Sequence, residues 1–202
     1  MRTVATLALL AVVVPTVLPA QNNPEFRIYG ELQATGPGSY QLAVANLPVQ
    51  STQVNLAELA DEDLEMTVID VGSPGAPVLQ VLSATPTEDW VRLQGDTEIG
   101  GEARFRVDSD FAQTYYFVIS FTSGFVPIDP VLPGLASGTF LCNLNAYALL
   151  AAGSFRSHYV EPLAIPNDPL LVGAPIWVQG AIRGATNPFI YLNILHFTIT
   201  ND

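Results

Sequence analysis

The residues of this chain that could perform chemistry are mainly its carboxylates, which number nineteen among 202 residues. Two carboxylates can serve as the acid and base of a glycosidase, and several carboxylate oxygens together can bind calcium. Most of them occur in runs typical of solvated surface, such as residues 61–65 and 88–89. Asp108 and Asp110 could join a calcium site, but no glycine-centred calcium loop accompanies them. A plain turn is the favoured interpretation, and calcium binding there stays open.

The other candidate groups also lack the partners that catalysis or metal binding requires. His158 and His196 are far apart in the sequence, and neither has a second ligand at metal spacing, so both are expected to be hydrogen-bonded sheet histidines. The single Cys142 lies in an apolar run, which favours a small buried hydrophobe over a nucleophile. Residues 134–138 are Gly-Leu-Ala-Ser-Gly, so the serine stands one position later than the Gly-x-Ser-x-Gly pattern of a nucleophile elbow requires. We therefore predict no catalytic residue, no metal ion and no cofactor.

The composition limits the partners of the chain. Its net charge is −12, and all seven basic residues are arginines. Such an acidic chain is repelled by phosphate backbones and anionic lipid, so nucleic acid and membrane surfaces are poor partners. A lone cysteine leaves no internal disulfide, and stability must then come from the core and from strand pairing.

The first twenty residues are typical of an export signal. Arg2 is followed by an apolar run, Thr6–Val14, and Leu18-Pro-Ala20 offers a cleavage site before Gln21. The alternative is an N-terminal membrane anchor, for which this run is short. We expect a mature chain of residues 21–202 that is secreted, outside the cell or at the surface of a Gram-negative-type bacterium, with no membrane contact after the signal is removed.

Beyond residue 25, short segments of alternating polarity predict β-strands. The clearest is Thr114–Thr122, rich in aromatic and β-branched residues; the others are 26–32, 40–44, 64–71, 78–82, 90–94, 103–107, 139–144, 176–182 and 191–200. The sequence therefore predicts an all-β fold, an antiparallel sandwich or jelly roll of about nine or ten strands. Residues 56–65 could form the one short helix, and Ala146–Ala152 is interpreted as strand.

Two proline-rich segments separate these strands. Residues 123–138 form the longest irregular connection, either a crossover within one sandwich domain (residues 21–202) or a boundary between two sub-modules. Ile165-Pro-Asn-Asp-Pro169 combines two fixed φ angles with two residues that favour Asx turns. It is expected to be a stiff corner before the next strand, not a ligand loop with Asp168 as its reactive group.

The C-terminal part of the chain carries a succession of motifs. They are Gly124-Phe-Val-Pro-Ile-Asp-Pro-Val-Leu-Pro-Gly134, the corner at 165–169, Trp177-Val-Gln179 and Leu192-Asn-Ile-Leu-His-Phe-Thr-Ile199. Over about residues 115–200 this succession resembles the tail of a planctomycete-type family of secreted, β-rich bacterial proteins. The resemblance implies an extracellular location and β architecture, and it implies no catalytic residue.

The N-terminal strand suggests how such a protein could assemble. Phe26, Ile28, Gly30 and Leu32 lie on one face of it, behind a polar leader at 21–24. A terminal strand of this kind can leave its own domain and complete a neighbour's sheet, as in fimbrial pilins, and head-to-tail addition propagates a fibre. The alternative is that residues 26–33 are simply the first strand of their own domain. We expect a non-enzymatic structural protein that associates with itself.

A carbohydrate- or surface-binding module is the second functional hypothesis. Flat aromatic rings stack on sugars, so a polysaccharide is the alternative partner, although core positions are the more common place for aromatic side chains. The candidate rings are Tyr40, Trp90, Tyr115, Tyr116, Tyr159 and Trp177. A secreted hydrolase ranks third, because only scattered carboxylates support it.

Overall fold

The computed structural model describes residues 23–110, 113–186 and 188–201. The export signal predicted at 1–20 lies outside these residues. The described residues form fifteen β-strands and two single-turn 3-10 helices, at Leu56–Glu58 and Pro169–Leu171. The strands are β1 Phe26–Gly36, β2 Ser39–Leu42, β3 Leu47–Gln50, β4 Asp63–Asp70, β5 Leu79–Pro86, β6 Trp90–Gly95, β7 Glu102–Asp108, β8 Thr114–Ser120, β9 Ser123–Pro127, β10 Ala136–Ser137, β11 Thr139–Cys142, β12 Tyr147–Ser154, β13 His158–Ala164, β14 Pro175–Arg183 and β15 Phe189–Thr198. The all-β prediction is confirmed.

The first five strands close into a barrel in the order β1-β2-β3-β5-β4. β1 is long enough to pair with two neighbours: Phe26–Glu31 lie opposite β4, and Leu32–Gly36 lie opposite β2. The barrel interior is filled by alternate aliphatic side chains, as the period of two requires. These include Ile28, Leu64 and Val81, all fully buried.

The second half of the chain forms a five-stranded sheet, β10-β15-β14-β8-β12, and the three-stranded sheet β13-β7-β6. Side chains from both sheets, such as Phe105 of β7 and Phe117 of β8, share one hydrophobic core, so the two sheets face each other. β9 and β11 form a separate antiparallel pair whose residues pack into the barrel's core.

β1 contributes to both cores. Phe26, Ile28 and Leu32 point into the barrel, whereas Tyr29 is buried among residues of the facing sheets. β1 also packs against β15. The first strand therefore contributes side chains to the hydrophobic cores of both halves of the molecule. The single domain predicted for residues 21–202 stays a prediction, as does its alternative, a boundary at 123–138.

The structure differs from the sequence prediction in its number of strands and in its one predicted helix. Four strands were not predicted: β3, β9 and β13 each contain a proline, which removes a backbone donor and obscures the alternating pattern, and β10 has only two residues. β9 also shortens the connection predicted as irregular at 123–138. Within the predicted helix 56–65, only Leu56–Glu58 is helical, because β4 begins at Asp63. None of the helices in the described part of the chain is long and apolar enough to cross a bilayer.

Candidate functional site

Gln179 is the most completely buried polar side chain of the C-terminal motifs. It lies on β14 between apolar neighbours and is inaccessible to solvent. Its Oε1 accepts from the backbone N–H of Leu141 at 2.8 Å, and its Nε2 donates to the carbonyls of Thr139 and Leu192, both at 2.8 Å. One amide thereby joins β14 to β11 and β15. The two bonds to β11 join strands that belong to different sheets, and the bond to Leu192 lies within the β14–β15 pair.

Asn193 makes an equivalent junction between the two facing sheets. β15 bulges where two of its residues lie opposite one residue of β14, since Gln179 pairs with Ile194 and Ala181 with Tyr191. The buried Asn193 Oδ1 accepts from the N–H of Val91 at 2.7 Å, and its Nδ2 donates to the Val91 carbonyl at 2.9 Å. The side-chain amide therefore binds the edge of β6 as a neighbouring peptide would.

Asp129 ties the segment after β9 to the first strand. Its carboxylate accepts from the Ser137 hydroxyl at 2.7 Å, from the Gly138 N–H at 2.8 Å and from the Arg27 N–H at 3.0 Å. The Thr139 hydroxyl donates to the Arg27 carbonyl at 2.7 Å. The serine of residues 134–138 is therefore a structural hydrogen-bond donor in this arrangement.

Four carboxylates form ion pairs with arginines on the sheet surfaces, namely Asp63, Glu65, Glu102 and Asp108. Asp108, one of the two calcium candidates, receives two N–H groups of Arg106 at 2.7–2.9 Å, and Asp110 is exposed. Burial raises the pKa of Asp89, which a hydrogen bond from Ser109 partly offsets. Within the described ranges, no three His, Cys, Asp or Glu side chains are grouped closely enough to hold a metal ion.

The histidines and the cysteine occupy ordinary sheet positions. His196 is exposed and stacks on Trp177 across the β14–β15 pair, with ring centroids 4.3 Å apart. His158 begins β13, and its Nδ1 lies 3.3 Å from the Ser157 hydroxyl. Cys142 is fully buried at the end of β11, and burial raises the pKa of its thiol to about 12.

The Ile165–Pro169 segment forms a corner before β14. The Asp168 carboxylate accepts from the N–H of Leu170 at 3.0 Å, and Pro169 is the first residue of a 3-10 turn. Proline at this position is preorganised for a helical turn. Asp168 is exposed but bound to its own backbone, as expected for an Asx-type cap.

The predicted donor residues all lie in β1 of the same chain's barrel. Phe26, Ile28 and Leu32 are buried there, and Gly30 faces Leu42 so closely that a Cβ would lie 2.3 Å from its Cδ1. The inward orientation of this face agrees with its apolar pattern. Exchange of β1 between chains stays a proposal, because one chain contains both the strand and its groove.

The candidate sugar-binding rings are distributed over several places. Trp90 and Tyr115 are core residues, Tyr159 stacks on Tyr115 with centroids 4.1 Å apart, and Trp177 stacks on His196. Tyr40 is half-buried against the barrel core. Tyr116 alone lines an open apolar depression of the sheet.

That depression, which we call the aromatic cleft, lies on the face of the five-stranded sheet turned away from the three-stranded one. Its volume is about 260 Å³. Rings meet edge to face within it, Phe140 with both Tyr147 and Tyr191, and Tyr116 with Phe189. The lining residues are Tyr116, Val118, Ile128, Phe140, Leu144, Tyr147, Leu149, Ala181, Phe189 and Tyr191. The sequence reasoning did not find the cleft, because its walls come from six separate segments.

No family model matches the sequence, and no curated protein is significantly similar to it.

Sequence reasoning also missed the roles of Gln179, Asn193 and Asp129. The available signal for these roles was a single amide or carboxylate inside a strongly apolar strand or beside buried strands. Such a group is buried only when it is hydrogen-bonded, so its position indicates a structural hydrogen bond.

Proposed function

We propose that this chain is a non-enzymatic structural protein of the cell exterior that acts by associating with other copies through its β-sheets. The expected export signal and the resemblance of residues 115–200 to secreted, β-rich bacterial proteins support the location. The acidic surface supports a soluble, extracellular chain that avoids nucleic acid and anionic lipid.

The arrangement of the buried polar groups is the observation that carries this proposal. Gln179, Asn193 and Asp129 each bind the backbone of a different strand, and together they join the barrel, the five-stranded sheet and the three-stranded sheet. No buried side-chain nitrogen or oxygen in the described residues lacks a hydrogen-bond partner. Gln179, Asn193 and Asp129 therefore act as connections between sheets, with their hydrogen bonds made inside the chain.

Exchange of β1 between chains is one mode of this association. It would place four residues of one chain in the barrel of the next chain, namely Phe26, Ile28, Gly30 and Leu32. There these residues would make the same contacts that they make inside a single chain. The contacts of β1 with β4, β2 and β15 would all be transferred. Because each donor has its own acceptor groove, the chain of exchanges would extend into a fibre.

A cysteine pair across β1 and β4 tests the exchange. Arg27 and Thr67 are cross-strand partners, and the native Cys142 is fully buried, so Arg27→Cys with Thr67→Cys provides the accessible thiols. Oxidation of exchanged chains gives a ladder of covalent multimers on a non-reducing gel. Monomers with an internal disulfide would contradict exchange, and each single variant is the matched control.

Binding of a polysaccharide in the aromatic cleft is the second candidate function. The cleft combines three tyrosine hydroxyls with an apolar floor, a composition suited to the faces and hydroxyl groups of a sugar. Affinity electrophoresis against a polysaccharide panel tests it. Retarded migration that is lost in Tyr147→Ala and kept in Tyr40→Ala supports binding, and unretarded migration in every gel would contradict it.

A further inference from the structure

β12 is the longer of the two edges of the five-stranded sheet, and it carries neither charge nor proline. It pairs with β8 alone, at the end of the strand order, and its sequence is Tyr-Ala-Leu-Leu-Ala-Ala-Gly-Ser. It lies within an uncharged stretch, residues 130–155, in a chain that has 26 charged side chains. A long apolar edge presents unpaired backbone groups to any strand that approaches it.

Other sheet edges have charge, proline, side-chain capping or short length, which β12 lacks; the one protective feature of β12 is a bulge at Leu150. β13, the outer strand of the three-stranded sheet, contains Glu161 and Pro162. On β6, at the opposite edge, the backbone of Val91 is bound by Asn193. The far end of the five-stranded sheet is β10, which has two residues. Charge, proline, side-chain capping and shortness are the usual means of preventing strand addition.

We propose that β12 pairs edge to edge, in antiparallel orientation, with β12 of a second copy, so that two five-stranded sheets join into one across a two-fold axis. This inference rests on the proposed function, because it names the surface through which copies associate. In an antiparallel pair of identical strands, each outward N–H faces a carbonyl of the partner and the contact is isologous.

The charge distribution identifies the second copy as the occupant. Two chains of net charge −12 repel each other, and the repulsion is smallest where the contact region itself is neutral. A cationic partner would be matched by carboxylates, which this edge does not have. An identical edge is neutral over the same length.

The shape of β12 indicates a closed pair. Its register with β8 shifts between Leu149 and Ala151, and such a bulge increases local twist. Regular pairing is therefore available on either side, at residues 147–149 or 151–154. Leu149, 51% exposed, lies beside the aromatic cleft and becomes covered by the partner. Once two edges meet, neither sheet has another edge of this type, so the assembly ends at two copies.

Single cysteines along β12 test the pairing directly. Ala148→Cys, Ala152→Cys and Ser154→Cys each add one accessible thiol, because Cys142 is buried. We expect one of them, the nearest to the two-fold axis, to form disulfide-linked dimers at least about tenfold faster than Leu170→Cys, a control at a residue that is 90% exposed. Equal rates at all four positions would overturn the inference.

A charge variant separates this inference from the proposed function. Ala148→Glu with Ala152→Glu places like charges opposite each other, and we expect it to weaken self-association about tenfold or more relative to Leu170→Glu. Unchanged association of the β12 variant would overturn the edge pairing and leave association through another surface. A wild-type chain that stays monomeric would overturn both. Circular dichroism and melting temperature confirm that the variants, substituted at exposed positions, are folded.

Discussion

At the scale of single residues, a buried amide is stable only when its donors and acceptor find partners. Gln179 places both N–H groups and its oxygen against backbone groups of Leu141, Thr139 and Leu192, which belong to two other strands. Those three backbone groups in turn have the Gln179 amide as a hydrogen-bond partner. The amide is therefore part of the strand pairing and not an available binding group.

Gln179→Leu keeps the size of the side chain approximately and removes its hydrogen bonds. We expect it to lower the free energy of unfolding by about 4 kcal/mol, since each buried group left unpaired costs about 1–3 kcal/mol. Urea unfolding measures the change. Gln94→Leu, at an exposed position of β6, is the control and should change stability little. A difference below about 0.5 kcal/mol between the two variants would contradict the bridging role.

Cys142 should be unreactive until the chain unfolds. Burial raises the pKa of its thiol to about 12. Roughly one thousandth of such a thiol is ionised at pH 9, and the thiolate is the reactive form. We expect no alkylation by iodoacetamide at pH 9 in native buffer and complete alkylation in urea. Modification of the native chain at the rate of free cysteine would contradict the buried position.

The raised pKa of the Cys142 thiol also predicts that the free energy of unfolding depends on pH. The folded chain keeps the thiol proton while the unfolded chain loses it near pH 9, so this contribution is complete below pH 9 and declines as the pH rises toward 12. The urea midpoint of the wild-type chain minus that of Cys142→Ala should therefore fall between pH 8 and pH 10.5. A constant difference would contradict the raised pKa. Tyrosines titrate in both chains and cancel in the comparison.

At the scale of elements, the approach of β14 to β6 depends on a missing side chain. Gly180 lies opposite the β15 bulge, and a Cβ there would be 2.3 Å from Val91 Cγ2. Val91 is fully buried, and its β-branched side chain has little freedom to move. The glycine and the bulge together let Asn193 reach the β6 backbone.

Gly180→Ala should therefore separate two packed strands. We expect a loss of about 1–3 kcal/mol in unfolding free energy, typical of an overpacked core. Gly36→Ala is the matched control, because nothing lies within 4 Å of a Cβ at that end of β1. Equal stabilities of the two variants in urea or thermal unfolding would contradict the close packing.

The elements also indicate how far the sequence alone could go. The strand prediction for Thr114–Thr122 is matched by β8, because β-branched and aromatic residues act locally. Ala146–Ala152 has high helix propensity and is nevertheless a strand, because β12 pairs with β8. β3 and β13 were missed because each contains a proline. The bonds of Gln179 and the walls of the aromatic cleft join segments far apart in the chain, and no local pattern encodes such contacts.

At the scale of the whole molecule, the net charge is −12, and β12 lies in one of two uncharged stretches of equal length, residues 32–57 and 130–155. Like charges oppose association of two copies, and salt screens this repulsion within about 10 Å at 0.1 M ionic strength. Association through β12 is apolar and backbone-mediated, so screening removes an opposing contribution without weakening the contact itself. Higher salt should therefore strengthen self-association, whereas it would weaken an assembly that depends on ion pairs.

Sedimentation velocity of the mature wild-type chain, over a series of concentrations at low and moderate salt, measures whether copies associate. We expect the average mass to rise with concentration from one chain toward two or more, and the rise to begin at lower concentration when salt is added. The mass of a single chain at every concentration and at both salt levels would contradict the proposed association.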